Sequence, residues 1–203
     1  MSTVARQELP KPGNIIVLNG TSSSGKTSLA RALQVQFKAP VQHLQLNSFR
    51  SMEPEGYWDG WEHQPAESVA LKLAALCRAM NAALVEYSRH GLSVIFDTVL
   101  SNRDAWRYVL EDLDGLPVYL ICVTCDAEEL SRRELLRGDR GTGLAASQIK
   151  WIHADKDYDF RIDTTSSSSE QCAAEVVRWL SINPVPNAFK TMMARFQMAS
   201  TGD

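Results

Sequence analysis

The sequence predicts an α/β fold, with about five mostly parallel strands in one sheet and helices on both faces. Short aliphatic segments rich in β-branched residues alternate along the chain with segments of helical period. The strand candidates are almost continuously apolar, which is typical of parallel strands buried on both faces. With 203 residues, 44% of them hydrophobic, the chain is long enough for one domain with a full core. We therefore expect a single domain over residues 1–203, with its core at 14–180 and a C-terminal extension at 181–203.

The first half of the chain predicts two strands and two helices. Residues 14–18 form a short aliphatic run, and residues 27–37 follow with apolar side chains on one stripe of a helix. A second strand is predicted at 41–46. A long helix is predicted at 65–90 because apolar side chains recur there at spacings of three and four, and Gly91 is a typical helix C-terminal cap.

The second half repeats this alternation. Aliphatic runs predict strands at 92–97, 118–124 and 160–163. Amphipathic segments predict helices around 103–113, from Asp126 onward, at 145–153 and at 168–180, the last one capped by a serine run. Strands that alternate with helices in this way imply a mostly parallel sheet.

A glycine-rich segment joins the first strand to the first helix. Residues 20–27, Gly-Thr-Ser-Ser-Ser-Gly-Lys-Thr, match the pattern G-x4-G-K-[ST] in the strand–loop–helix context that the pattern requires. Glycines let backbone N–H groups face phosphates, Lys26 reaches the β- and γ-phosphates, and the Thr27 hydroxyl ligates Mg²⁺. The segment therefore predicts a P-loop that binds ATP and Mg²⁺. The expected nucleotide-binding residues are Gly20, Ser22, Ser23, Ser24, Gly25, Lys26, Thr27 and Ser28.

A carboxylate lies at the end of the third strand candidate. Asp97 follows the aliphatic run Val94-Ile-Phe, and ligands of open α/β sheets bind at the carboxyl ends of the strands. We therefore expect Asp97 beside the phosphates, where it would hold Mg²⁺ through water or accept the proton of an attacking hydroxyl. A turn or helix-capping role is the structural alternative.

Two arginines lie in a stretch that contains three glycines, residues 137–143. This composition suits a lid that closes over ATP and places the guanidinium groups of Arg137 and Arg140 on the transferring phosphoryl group. Ordinary surface charge is the alternative. With Lys26 and Asp97, these arginines complete the predicted catalytic set.

The overall composition constrains the partners. A net charge of −3 and a pI near 5.8 give no basic field for a nucleic-acid footprint. Four scattered cysteines and an N-terminus without an apolar signal region predict a reduced, cytoplasmic protein. No apolar run is expected to span a membrane. We expect a small-molecule partner, without nucleic acid or membrane, and the sequence leaves the oligomeric state open, a homo-oligomer included.

Beyond the P-loop, the chain resembles the chloramphenicol phosphotransferase family, P-loop kinases that pass the γ-phosphate of ATP to a hydroxyl of the antibiotic. The resemblance covers residues 14–180. Its segments fall in the family's order at similar spacings: residues 15–26, the strand ending at Asp97, Arg-Gly-Asp-Arg at 137–140 followed by Gly143-Leu-Ala, His153, Tyr158-Asp159 and Asp163-Thr-Thr165. The resemblance implies a kinase of a small-molecule hydroxyl, with Lys26 and Thr27 in the phosphate and Mg²⁺ roles and Arg137 and Arg140 in the lid.

One position departs from the family pattern. The family's proposed general base is an aspartate in an Asp-Ser context just after the second strand, and the equivalent residues here are Asn47 and Ser48. Asparagine cannot accept a proton at neutral pH. Either Asp97 does this work, or the acceptor needs no strong base, or the transfer has been lost. Asn47 and Ser48 are expected substrate contacts, as is Trp58, whose aromatic loop could face the acceptor or pack on the surface.

Three functions fit these features. The leading hypothesis is an ATP-dependent, Mg²⁺-requiring kinase that phosphorylates a hydroxyl of a small molecule, either an antibiotic or a metabolite. An ATP-binding pseudo-kinase or switch without turnover is the second, and Asn47 motivates it. A nucleotide or nucleotide-sugar kinase with the same core and another acceptor pocket is the third.

Overall fold

The computed structural model describes residues 10–137 and 143–200. Five strands and eight α-helices alternate in this part of the chain. In order, the elements are β1 (Ile15–Asn19), α1 (Lys26–Gln36), β2 (Gln42–Gln45), α2 (Leu46–Arg50), a 3₁₀ turn (Trp61–His63), α3 (Ala66–Arg89), β3 (Val94–Thr98), α4 (Arg103–Asp112), β4 (Val118–Thr124), α5 (Ala127–Arg137), α6 (Leu144–Ile152), β5 (Phe160–Asp163), α7 (Ser169–Ser181) and α8 (Ala188–Ser200). The predicted strands are all present, with bounds shifted by no more than two residues.

The five strands form one parallel sheet in the order β2–β3–β1–β4–β5. Since all strands run in the same direction, their carboxyl ends lie along one edge. At that edge Leu18 of β1 is opposite Asp97 of β3, one residue before the end of each strand. The predicted α/β fold with a parallel sheet is confirmed.

Successive side chains of β1 point to opposite faces of the sheet, and each face has its own core. Ile15 and Val17 pack in a cluster with side chains of α3, α4 and α8. Ile16 and Leu18 pack in a second cluster with side chains of α1 and α7. All four side chains are buried. The continuous apolar run of β1 therefore reflects burial on both faces.

The C-terminal extension contributes helix α8 to the first of these cores. Phe189 and Met192 are buried there. One carboxylate oxygen of Asp159 accepts the N–H of Ala188 at 2.9 Å, and the other accepts the N–H of Leu120 in β4 at 2.8 Å. This carboxylate ties the start of α8 to the central sheet, so the extension is part of the packed fold.

Helix α3 is apolar but largely exposed. By length and composition alone it could cross a membrane, with a mean hydropathy of 1.5 over a window of which 17% is buried. We expected no apolar run long enough to span a membrane. The composition of α3 does not support this expectation. Toward its C-terminal end, α3 places Met80 and Leu84 in the first core, and it packs against α4 and β3.

Candidate active site

The glycine-rich loop connects β1 to α1, as the sequence predicts. Gly25 has φ 85° and Ser23 has φ 60°, both in the left-handed region. A Cβ on Gly20 would lie 2.2 Å from the carbonyl oxygen of Val123, so only glycine fits there. Gly25 is also the N-cap of α1 and offers no side chain to the first N–H groups of that helix. These donors therefore remain available to an anion.

Side chains engage two carbonyl groups of this loop. Lys26 Nζ donates to the carbonyl oxygen of Thr21 at 2.6 Å. Thr164, which follows β5, donates its hydroxyl to the carbonyl oxygen of Ser24 at 2.8 Å. Lys26 is only 7% exposed, which is unusual for a lysine. The ammonium group is thus held against the loop, where its charge faces any bound phosphate.

Asp97 approaches the loop from β3. Its Oδ2 atom accepts the Thr27 hydroxyl at 2.6 Å, and Nε2 of the partly buried His43 in β2 lies 3.6 Å from the same oxygen. Burial by itself would raise the pKa of this carboxyl. The neighbouring imidazole, the Lys26 charge and the Thr27 hydroxyl outweigh the burial and hold the pKa below its ordinary value of 3.8. An ionised Asp97 and the Thr27 hydroxyl can therefore hold Mg²⁺ together with phosphate oxygens and water.

A cavity of about 960 Å³ opens at this edge of the sheet. The P-loop, residues of α1 and α5, Asp97 of β3 and the segment after β5 form one end, and α2, α3 and α4 form the other. Its wall includes the predicted residues Ser22, Ser23, Gly25, Lys26, Thr27, Ser28, Asn47 and Asp97. The volume is typical of a site for a small molecule.

The part of the cavity wall formed by α3 and α4 is uncharged, while Arg50 of the neighbouring α2 also lines the cavity. Leu73, Met80 and Asn81 contribute from α3, and Val109 contributes from α4. The Asn81 amide donates to Asp112 at 2.8 Å, which fixes the orientation of this polar group. The wall therefore offers apolar surface with one oriented amide.

The three predicted substrate residues take different positions. Asn47 is exposed on α2 and lines the cavity. Ser48 and Trp58 are not among the described residues of the wall. Trp58 donates Nε1–H to Glu53 at 2.5 Å, and the Arg50 guanidinium lies 4.9 Å from its ring centroid. Because Arg50 itself lines the cavity, Trp58 is separated from the cavity by one residue.

The predicted lid falls mostly outside the described residues. Arg140 lies outside the described residues, and Arg137 is the last residue of α5. Gly143, at the other end of the stretch, is the N-cap of α6 with φ 95°. The buried Glu134 accepts the N–H groups of Gly143 and Ala145 at 3.0 and 2.7 Å, so one carboxylate joins α5 to the start of α6.

Two residues at the phosphate end are not predicted by the sequence. Arg133 lines the cavity, donates to the carbonyl oxygen of Thr164 at 2.6 Å and pairs with Glu129 at 2.7 Å. Gln148 accepts the N–H of Ser22 at 2.7 Å. A lone arginine or glutamine in an ordinary helix carries no motif. Thr164, the partner of Arg133, does have a sequence signal, since it lies in a segment of the family resemblance.

A buried polar network connects the P-loop to the far wall. Asn19, the last residue of β1, donates to the Tyr158 hydroxyl at 2.8 Å and accepts the N–H of Leu100 at 2.9 Å. The Tyr158 hydroxyl also forms a hydrogen bond with His153 Nδ1, at 2.8 Å. Burial and the nearby charge of Arg161 lower the pKa of His153 to about 4, so the imidazole is neutral near pH 7. The network fixes the β3–α4 connection relative to β1.

Comparison with known proteins establishes the family. A family model described as chloramphenicol phosphotransferase-like protein matches residues 13–181. The chain belongs to the chloramphenicol phosphotransferase-like family. One relative is a protein of Mycobacterium tuberculosis (strain H37Rv) that is described as an inferred O-phosphotransferase. It is 33% identical to this chain over 208 residues, which cover 91% of this chain and 89% of the relative. The resemblance noted in the sequence is confirmed, and this chloramphenicol phosphotransferase-like protein is a small-molecule phosphotransferase.

Solved structures show the fold of this chloramphenicol phosphotransferase-like protein to be that of the P-loop kinases. The APS kinase of Mycobacterium tuberculosis, in complex with AMPPNP and APS, has a TM-score of 0.61 at 18% identity and covers 85% of this chain and 99% of its own. Shikimate kinase from Acinetobacter baumannii has a TM-score of 0.60 at 10% identity, and the match covers 86% of this chain and 97% of the shikimate kinase chain. The tunicamycin resistance protein of Deinococcus radiodurans has a TM-score of 0.58 at 17% identity, and the match covers 83% of this chain and 96% of the resistance protein. At these identities the similarity concerns the fold alone.

Proposed function

We propose that this protein is an ATP-dependent kinase that transfers the γ-phosphate of MgATP to a hydroxyl of an uncharged small molecule. One observation carries the proposal: a single cavity has Lys26, Thr27 and Asp97 at one end and an uncharged wall from α3 and α4 at the other. A nucleotide bound along the P-loop would place its γ-phosphate between these two ends.

The nucleotide end has the charges that this reaction requires. Lys26 is positioned to neutralise the β- and γ-phosphates, and Thr27 with Asp97 would hold Mg²⁺. Mg²⁺ at this site would stabilise the negative charge that develops on the transferring group. Arg133 lines the same end from α5. Arg137 and Arg140 stay proposed lid residues that would add positive charge on closing.

In the proposed reaction, the acceptor oxygen attacks the γ-phosphorus, the bond from phosphorus to the β–γ bridging oxygen breaks, and ADP leaves. The proton of the hydroxyl needs an acceptor. Asn47 lines the cavity but can only orient the hydroxyl by hydrogen bonding. Asp97 is the sole carboxylate in the described part of the wall, so we assign it both the Mg²⁺ role and the proton-accepting role. Its lowered pKa makes it a weak base, which suffices because a loose transition state depends mainly on positioning and charge.

The wall also indicates the chemical class of the acceptor. Leu73, Met80 and Val109 offer apolar contact, and Asn47 and Asn81 offer hydrogen bonds. No acidic or basic side chain of the described α3 and α4 residues lines this end. Arg50 of α2 also lines the cavity, but its charge is already paired with Glu53 at 3.8 Å. An anionic acceptor would therefore lose its hydration against the α3 and α4 wall without a free partner charge. An uncharged alcohol with an apolar or aromatic body fits the wall better.

The test is phosphorus NMR of MgATP with a panel of size-matched alcohols, some uncharged, chloramphenicol among them, and some anionic. We expect a new phosphate ester with an uncharged member, and none with the Lys26→Ala variant. Preference for the anionic members would contradict the acceptor class. Nucleotide binding without any ester would favour the pseudo-kinase, and a phosphorylated nucleotide or nucleotide sugar would favour the third hypothesis.

We also propose that the protein works in a reducing, cytoplasmic compartment with a small molecule as its partner. The cysteines are all free: Cys77, Cys122, Cys125 and Cys172. Burial raises the pKa of the Cys122 thiol to about 11, so this thiol is inert. Alkylation and mass spectrometry of protein taken from its own cells should find four thiols, and a native disulfide would contradict the proposal.

A further inference from the structure

The peptide group between Thr21 and Ser22 is held at both of its ends. Its carbonyl oxygen accepts from Lys26 Nζ at 2.6 Å, and its N–H donates to Gln148 Oε1 at 2.7 Å. Thr21 and Ser22 are both buried. The Ser24 N–H also donates to the Thr21 carbonyl oxygen, at 3.3 Å. Because water has little access to either end, the ammonium group and this N–H hold the carbonyl end, and the side-chain amide of Gln148 holds the N–H end.

Gln148 supplies the acceptor of this N–H. The side chain is buried, with 8% of the residue exposed, and only its oxygen can accept a hydrogen bond. Without that oxygen the buried N–H of Ser22 would lack its partner, and the peptide group could turn. If the peptide group turned, the Thr21 carbonyl oxygen would move away from Lys26. This oxygen would then point into the space that the phosphates would occupy. Lys26 Nζ also lies 3.5 Å from Ser24 Oγ, so Gln148 sets part of the position of Lys26, through this one peptide group.

The helix that carries Gln148 begins directly after the predicted lid. Helix α6 starts at Leu144, and Glu134 fixes its first turn to α5 through the N–H groups of Gly143 and Ala145. Gln148 lies one helical turn further along. Any displacement of α6 would therefore move the acceptor of the Ser22 N–H, and the P-loop would respond.

We infer that Gln148 is a positioning residue, which sets the place of Lys26 through the Thr21–Ser22 peptide group and couples the P-loop to α6. This inference rests on the proposed function, since Lys26 is there the residue that neutralises the phosphates. The coupling itself is a property of the nucleotide-free protein and can be measured without turnover.

The first experiment uses the full chain without nucleotide. Gln148→Met keeps the side-chain length but removes the accepting oxygen, whereas Gln148→Glu keeps an oxygen, and Lys150→Met is a matched control at an exposed position of the same helix. Amide exchange at Ser22 is followed by NMR, and the reactivity of Lys26 by acetylation and mass spectrometry. We expect Gln148→Met to speed Ser22 exchange on the order of tenfold or more and to increase Lys26 labelling. Gln148→Glu should stay near the parent in Ser22 exchange, and Lys150→Met should match the parent in both.

Folded Gln148→Met protein with parental Ser22 exchange and parental Lys26 labelling would overturn the inference. Should Gln148→Met fail to fold, Gln148→Asn, which withdraws the oxygen by one methylene, is measured in the same way and judged by the same outcomes.

The second experiment measures phosphoryl transfer with MgATP and an acceptor that the parent protein phosphorylates. We expect Gln148→Met to lower kcat on the order of tenfold or more with little change in the acceptor KM, and Gln148→Glu to recover part of kcat. An acceptor KM effect with unchanged kcat would overturn the link to Lys26. A parent that forms no phosphate ester would count against the proposed function, while the exchange experiment would still decide the inference.

Discussion

Replacing Asp97 by asparagine changes charge at the centre of the site while keeping its shape. In the parent, one carboxylate oxygen accepts the Thr27 hydroxyl at 2.6 Å and lies 3.6 Å from His43 Nε2. Asparagine has the same size and still offers one oxygen to Thr27, but it cannot neutralise Mg²⁺ or take a proton. We therefore expect Asp97→Asn to remove most of kcat and to leave the fold intact.

The effect on stability follows from two opposing changes. A hydrogen bond to a charged group contributes about 1.5–3 kcal/mol and a neutral one about 0.5–1.5 kcal/mol, so the Thr27 bond weakens by about 1 kcal/mol. Removing a buried charge relieves its desolvation and offsets part of this loss. The free energy of unfolding should change by no more than about 1.5 kcal/mol.

The effect on catalysis should be much larger. Removing one preorganised electrostatic group from an active site typically costs about 10²–10³ in kcat, which corresponds to about 2.7–4 kcal/mol of transition-state stabilisation. In the proposed mechanism Asp97 acts in the transfer step rather than in acceptor binding, so the acceptor KM should change little. Asn47→Ala provides the contrast, because Asn47 is exposed, lies on the acceptor side and should affect chiefly the acceptor KM.

The pH dependence gives a second measure of the same charge. Because the folded pKa of Asp97 lies below 3.8, its contribution to stability is present above that pH and is lost as the pH falls through the folded pKa. Chemical unfolding of parent and Asp97→Asn from pH 7 down to pH 3 should show a shallower acid loss in the variant. Unchanged kcat in Asp97→Asn, with parental unfolding, would refute the assignment of this carboxylate.

Other changes test other parts of the site and fold. Lys26→Ala should lose phosphoryl transfer with a parental circular dichroism spectrum. Asn47→Asp should raise transfer to chloramphenicol if only the family's base is missing, and parental rates would speak against that. Met192→Ala should lower the free energy of unfolding by about 2–5 kcal/mol in urea titrations, since Met192 is fully buried in the core. The parent should lose stability as the pH falls from 6.5 toward about 4, because His153 protonates in the unfolded chain first. His153→Asn, which keeps a hydrogen-bonding group for Tyr158 but cannot titrate, should reduce that loss, and an identical pH profile would contradict it.

The sequence by itself determined the elements and the phosphate end of the site. A buried parallel strand and an amphipathic helix each have a period that a short stretch of chain displays, so β1 and α1 appear close to their predicted bounds. The glycine-rich loop is equally local, because the groups proposed to bind phosphate are largely its own backbone N–H groups and the side chains of Lys26 and Thr27. The segment between β2 and α3 was harder to predict from the sequence, because α2 spans five residues and is too short to show a helical period.

The tertiary structure alone decided the partners of the polar side chains. Strand order places β3 between β2 and β1, and only this order puts His43 near Asp97 and Asp97 against Thr27. Gln148 reaches the Ser22 N–H across 126 positions of sequence. Hydrophobic period is a property of neighbouring residues, whereas strand order and helix placement result from the packing of the whole core. A single arginine, histidine or glutamine therefore gains its role only when that packing brings its partner within hydrogen-bonding distance.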